Sequence, residues 1–221
     1  MRRLQKLGGI AALVQTAAYI AAFAIFFFLV DAPNRPTPVE KVQILIQNRS
    51  ALYAGAMIAY LLTGFGLIAL VAALHQRLNH RTPTLMQLAT PLGFIWAGLI
   101  LASGMIFMVG SEAVIALYSS DPERAGSLWL AIAVVQNGLG GGVEVVAGVW
   151  VLLISLAGRQ SSGLPALLSY AGLLAGIVGV LTIVPALDGA VDLFGVAMII
   201  WFASLGVVLL RTPALDRPAP R

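Results

Sequence analysis

The sequence predicts an all-α integral membrane bundle of six transmembrane helices, with both termini on the cytoplasmic side. Three observations predict it. First, 60% of the 221 residues are apolar and only 10% are charged. A water-soluble domain carries about a quarter charged residues, so this chain has too few to cover a surface facing water. Second, the apolar residues fall into six long runs, and roughly 20 apolar residues cross the hydrocarbon core of a bilayer as a helix. The alternation of barrel strands is absent, and lipid leaves helices as the remaining way to satisfy every backbone group. Third, the basic residues are sorted between alternate loops.

The first run, residues 8–30, follows the basic start Met1–Lys6. It is longer than the apolar core of a signal peptide and no small-x-small cleavage site follows, so it reads as a retained span. The loop 31–50 begins extended, with prolines at 33, 36 and 38. Thr37-Pro38-Val39-Glu40 has the form of a capping box with proline at the first helical position. Val39, Val42, Leu45 and Ile46 follow at helical spacing. This predicts either a short amphipathic helix at the outer interface or an extended start of the second span, residues 51–74.

The third span covers residues 87–109, with Pro91 in its first turns. Its apolar character runs on to Tyr118, and a straight helix from Leu85 to Tyr118 would be about 50 Å long. It must tilt strongly or break near Gly110. The fourth span, residues 128–156, holds the stretch richest in glycine. The fifth, 164–186, and the sixth, 191–210, complete a single six-span domain over residues 1–221. Arg81–Leu85 and Gly163–Leu167 both introduce a proline before Gly/Ala-rich spans, as a duplicated hairpin would. Helix starts favour proline, and small residues four apart let membrane helices pack; this is the simpler explanation.

The N-terminus, the loop 76–84, the loop 158–163 and the C-terminal tail hold Arg2, Arg3, Lys6, Arg77, Arg81, Arg159, Arg211, Arg217 and Arg221. The other three loops hold Arg35, Lys41, Arg49 and Arg124. The excess of nine over four marks the cytoplasmic side. Topology therefore explains the net charge of +4, and no nucleic-acid partner is expected. Having no cysteine, the chain forms no disulfide, cysteine zinc site or cysteine-ligated cluster. No nucleotide-binding glycine loop, nucleophile elbow or HExxH motif is present. No catalytic group, metal or cofactor is expected. The partners are the lipid bilayer and either other membrane proteins or a second copy of the chain.

Glu144 alone breaks the charge sorting, since it falls inside the fourth span. Asn137, Gly141, Glu144 and Gly148 would share one small, polar helix face. Taking Trp150 as the inner interfacial anchor puts Glu144 about 9 Å above it, in the inner half of the membrane. A carboxyl there is expensive without a partner, and no span offers Lys, Arg or His. A neutral acid, hydrogen-bonded to a neighbour, is the cheaper form. The expected ligand- or ion-binding set is Glu144 with Asn137, Gln136 and Tyr60. Further polar neighbours at similar depth are Gln15, Thr16, Tyr19, Thr63, Ser169 and Tyr170. Glycines at 138 and 140–142 would let the helix unwind, as in broken transporter helices. The structural alternative is a protonated Glu144 acting as helix-packing glue.

Glu112, Asp188 and Asp192 gather towards the outer side, as an acidic vestibule with Arg49 or Arg124 as counter-charge. Acids at a helix start also complement its dipole. His75 and His80 lie at the cytoplasmic end of the second span and read as interfacial, not as metal ligands.

Taken together, the basic start before a Gly/Ala-rich first span, the acid Glu144 in a middle span and the late hairpin from Leu164 into Trp201-Phe202 resemble a family. It is a family of small bacterial multi-span inner-membrane proteins known only as a domain of unknown function. The resemblance implies a bacterial inner-membrane location and brings no activity or site residues. The expected function is binding or transport of a small ligand or ion at Glu144. The rival is a non-catalytic accessory or scaffold subunit of a membrane complex. An intramembrane enzyme comes third, for want of a second catalytic group.

Overall fold

The computed structural model describes residues 2–25, 37–141, 144–187 and 189–212, and no strand occurs among them. Helix α1 is Arg2–Ile25, α2 is Pro38–Gln47 and α3 is Arg49–Ala56. A π-helical segment, Met57–Leu62, joins α3 to α4, Thr63–Leu78. Helix α5 is Pro83–Tyr118 and α6 is Pro122–Gln136, which runs into a second π-helical segment, Asn137–Gly141. Helices α7 (Val145–Ser161), α8 (Ala166–Leu181) and α9 (Ala190–Arg211) follow. Among the described residues, three helical runs are long and apolar enough to cross a membrane: Arg49–Leu78, Pro83–Tyr118 and Ala190–Arg211. Helices α7 and α8 are apolar but shorter.

Six helices close a ring. Around it, α1 packs on α4, α4 on α5, α5 on α7, α7 on α8, α8 on α9, and α9 on α1. The ring buries one continuous apolar core that includes Leu67, Leu70, Trp96, Trp150, Trp201 and Phe202. Its outer face is apolar as well, with Ile10, Ile95, Leu167, Leu174 and Ile200 all exposed. A protein apolar both inside and out suits lipid, and these helices are compatible with membrane insertion.

A second, smaller core extends from the ring along the distal half of α5. Val42 and Leu45 of α2, Leu52 of α3, Val114 of α5 and Ala125 of α6 are buried together there. Helix α2 is a separate element, not the start of the second span, because the backbone turns at Asn48 before α3. Its capping box is complete: the Thr37 N–H donates to Glu40 Oε2 at 2.6 Å, and the Glu40 N–H donates to Thr37 Oγ1 at 3.3 Å. The bond from the Thr37 backbone, then that of its side chain, holds the Glu40 carboxyl below the usual carboxylate range.

Of the two helix breaks the sequence leaves open, one is absent and the other present. The third span does not break near Gly110: α5 continues through Pro91 and Gly110 for 36 residues, about 54 Å. At Gly110 the missing Cβ serves packing, since a methyl there would stand 2.7 Å from Ile132 Cδ1 of α6. The fourth span does break, between the π-helical segment and α7. The descending half of the ring partner is therefore α7, and α6 belongs to the second core.

One end of the ring is fastened by Arg77. This residue was expected in a solvated loop, but it lies in the last turn of α4 and is buried. Its Nε donates to the Gly163 carbonyl at 2.8 Å, and its terminal nitrogens donate to Gln5 Oε1 and Thr212 Oγ1, each at 3.1 Å. Gln5 Nε2 in turn donates to the carbonyls of Leu209 and Thr212, both at 2.8 Å. Arg81 donates to the Ser161 carbonyl at 2.8 Å. Helix C-termini leave carbonyls unpaired and carry partial negative charge, so cationic donors fit there. His75 is also drawn in, with Nδ1 2.7 Å from Thr90 Oγ1 of α5, while His80 stays exposed.

Small residues set the closest helix approaches. A Cβ on Gly148 of α7 would meet Val180 N at 2.7 Å and Gly176 O at 2.8 Å, both backbone atoms of α8. A Cβ on Gly206 of α9 would meet the Gly9 carbonyl of α1 at 3.0 Å. By contrast, nothing lies within 4 Å of a Cβ on Gly98. Gly148→Ala must push two backbones apart, an overpacking cost of about 1–3 kcal/mol. Gly98→Ala should be neutral or stabilising by up to about 1 kcal/mol, since alanine is the better helix former. Thermal unfolding of the two variants in detergent reads the difference.

Candidate functional site

The site begins with the helix break. The π-helical turn 137–141 ends the continuation of α6, and the glycine-rich sequence there cannot hold a strong helix. Glu144 stands just before α7 with φ −97° and ψ 25°, and its side chain makes no capping bond. Its carbonyl enters the helix ladder, accepting from the Gly148 N–H at 2.8 Å. Its own N–H, which has no helical partner, donates to Thr182 Oγ1 at 2.8 Å. Thr182 is buried just beyond the end of α8 and donates to the Gly179 carbonyl at 2.7 Å. One threonine hydroxyl thus serves two backbone groups, one from each side of the α7–α8 hairpin.

With its backbone held this way, the half-buried Glu144 side chain is not committed to the start of α7. It lies within electrostatic reach of the Tyr19 phenol. Tyr19 belongs to α1, which stands three places from α7 around the ring in either direction. Among the described residues no Lys, Arg or His forms an ion pair with Glu144.

An aromatic layer fills the ring on the side of Glu144 towards the Arg77 end. Tyr19 meets Phe202 at 6.0 Å between ring centroids, and Phe202 stacks on Trp96 at 6.3 Å. Trp150 lies 5.4 Å from Trp96 and 6.1 Å from Trp201. Trp150 is fully buried, so it is a core residue and not the interfacial anchor expected from sequence. Without that anchor the inner-half position of Glu144 has no support. The whole of α7, about 25 Å, separates Glu144 from the end fastened by Arg77. Four buried polar atoms along this interior, the indole nitrogens of Trp150 and Trp201 and the hydroxyls of Ser155 and Ser169, have no hydrogen-bond partner among the described residues.

Several of the other expected site residues have partners of their own. Asn137 is exposed in the π-helical segment, and the break removes the single face it was to share with Gly141, Glu144 and Gly148. Gln136 donates from Nε2 to the Ser103 carbonyl of α5 at 3.1 Å. Tyr60, in the first π-helical segment, packs its Cβ over Gly104. Gln136 and Tyr60 thus meet α5 at adjacent residues. Gln15 serves helix packing, donating to the Thr63 carbonyl at 2.6 Å, and Thr16 bonds its own helix at Ala12.

Of the expected acidic vestibule, Glu112 has the counter-charge foreseen for it, Arg49. Glu112 accepts from Arg49 and from the Tyr53 hydroxyl, each at 2.5 Å, at the corner where α3 meets α5. Its charge is matched there. Asp192 is exposed in the first turn of α9, which packs on α1 and α8. Asp188 lies outside the described residues. Among the described residues no group of three His, Asp or Glu could hold a metal ion.

Sequence reading missed Thr182. The signal was a lone threonine in the apolar turn Leu181-Thr182-Ile183-Val184-Pro185, where a hydroxyl must find a partner in a region poor in water. No family model, no curated protein and no solved structure matches the chain. Its class, an all-helical protein with helices apolar enough to be membrane spans, thus rests on its own sequence and geometry.

Thr182→Val removes the acceptor of the Glu144 N–H while keeping the shape. It should lower stability by about 1–3 kcal/mol, the cost of leaving a buried group unsatisfied. Thr182→Ser should restore most of it. Unfolding midpoints in detergent decide.

Proposed function

We propose that the chain is a six-span membrane protein, both termini on the cytoplasmic side, that binds or moves a small cation at Glu144. A proton is the first candidate. The observation that carries this reading is a half-buried carboxyl at a helix break, without an ion-pair partner among the described residues and within electrostatic reach of the Tyr19 phenol. Intramembrane acids of this kind are costly and mark ion or proton pathways. Helix breaks in membrane proteins occur where backbone lines a cavity or site. A carboxyl can exchange a proton with Tyr19 or a passing water, or hold a cation in its ionised form. The aromatic layer closes the ring between Glu144 and the Arg77 end, so access from the far side is the natural state. Transport would require that layer to part.

The six-span topology is supported by the nine-to-four sorting of basic residues. The bacterial inner membrane is proposed on the family resemblance. Because the chain has no cysteine, single-cysteine variants read topology cleanly. In intact cells a membrane-impermeant maleimide should label Ser120→Cys, between α5 and α6. It should label His80→Cys, between α4 and α5, only after permeabilisation. The reverse pattern would overturn the orientation.

The site itself is tested through its own tryptophans. Trp150 lies six residues from Glu144 and contacts Trp96. In lipid nanodiscs, tryptophan emission should change through one pH transition as Glu144 gains its proton. Glu144→Gln should abolish that transition and leave the folded spectrum in place. A transition unchanged in Glu144→Gln would sink the proposal.

A further inference from the structure

We propose that the α7–α8 hairpin holds an anionic phospholipid at the Arg77 end of the ring, with its phosphate on Arg159 and an acyl chain along α8. Arg159 is exposed in the last turn of α7. Its Nε donates to the Tyr170 hydroxyl of α8 at 3.2 Å, and its guanidinium carbon stands 5.4 Å above the Tyr170 ring. This leaves both terminal NH2 groups without a protein partner among the described residues. A guanidinium fixed through Nε presents a planar fork that matches two phosphate oxygens.

Three further observations favour a phosphate there. Among the described residues, Arg3, Lys6, Arg77, Arg81, Arg159 and Arg211 share this end of the ring, and the described acids all lie elsewhere. An anion bound there meets no like charge. The first turn of α8 begins beside Tyr170 without a side-chain cap, so its free N–H groups and dipole add positive potential. Tyr170 itself is 51% exposed, and its ring and hydroxyl suit the boundary between headgroups and chains.

The lipid, rather than a free phosphate, follows from what adjoins the fork. Leu167, Leu174, Ile177 and Leu181 are exposed on one face of α8, and no described helix covers them. The stripe from Leu167 to Leu181 runs about 21 Å, close to the depth of one bilayer leaflet with its headgroups. A free anion would leave this stripe unused. The hairpin register supports the arrangement, because Gly148 lies against Val180 and Ser155 against Gly172, and the same register brings Arg159 to Tyr170.

The test uses the full chain in nanodiscs of phosphatidylcholine, with dioleoyl phosphatidylglycerol titrated in and binding read by a fluorescent phosphatidylglycerol. Arg159→Gln should weaken binding about tenfold, the value of one charge-assisted contact, with no change towards phosphatidylcholine. Tyr170→Phe keeps the ring and removes the hydroxyl that fixes Nε, so a smaller loss is expected. Circular dichroism checks that both remain folded. Inorganic phosphate at matching concentration should not displace the lipid. Unchanged phosphatidylglycerol affinity in both variants overturns the site. Full displacement by inorganic phosphate overturns the lipid and leaves a site for a soluble anion.

Discussion

The contact of backbone on backbone between α7 and α8 at Gly148, Gly176 and Gly179 governs most of what the structure does. In lipid, apolar faces gain little by leaving the solvent, so helix pairs are held by dispersion and by how near the axes come. Three glycines allow an approach that any side chain would block. That approach sets the register of the hairpin. The register in turn brings Thr182 under the Glu144 N–H and Gly172 against Ser155 and Trp201.

The break before α7 shows how a polar defect is tolerated in an apolar protein. An interrupted helix exposes backbone N–H and carbonyl groups, each costly to leave unpaired away from water. Glu144 gives its carbonyl to the helix and its N–H to a neighbouring hydroxyl. The side chain is therefore not consumed as a cap, as an acid at this position commonly would be. A carboxylate committed to its own helix N-terminus would be quiet electrostatically. One that is not committed keeps its full capacity to exchange a proton or hold a cation. The two π-helical segments lie on neighbouring faces of the same stretch of α5, so both irregular turns lean on the longest regular helix in the molecule.

Hydropathy made the ring helices legible, because each buried or lipid-facing run is apolar whatever it packs against. The capping box of α2 was legible for a local reason: Thr37, Pro38 and Glu40 act on one another within a single turn. Singling out Glu144 needed only its charge. Its surroundings followed only in part: Tyr19 stood among the polar residues expected at its depth, whereas Thr182, just beyond the end of α8, did not. Gln136 and Tyr60 were grouped with Glu144 by apparent depth along ideal straight helices. A break and two π-helical segments interrupt those helices, which a reckoning along straight helices does not include. Trp150 misled for a related reason: tryptophan favours interfaces on average, yet a ring interior this wide can bury one whole. Arg77 was misplaced because charge alone suggested solvent, whereas three helix ends supplied enough carbonyl and hydroxyl oxygen to enclose it.

Ring closure joins the first helix to the last. Gln5 reaches the Leu209 carbonyl across 204 positions of sequence, and α9 completes the wall beside α1. On the proposed six-span topology, α1 enters the bilayer during synthesis long before its partner exists. Its Gly8–Gly9 surface then waits exposed while the intervening helices follow. In water such a surface would invite aggregation. In a bilayer the acyl chains solvate it at little cost, and the delay is harmless until the final helix arrives. The order of emergence also means that the interior stays open at the α1–α9 seam through most of assembly. That seam is the last place from which lipid must be expelled before the ring can exclude it.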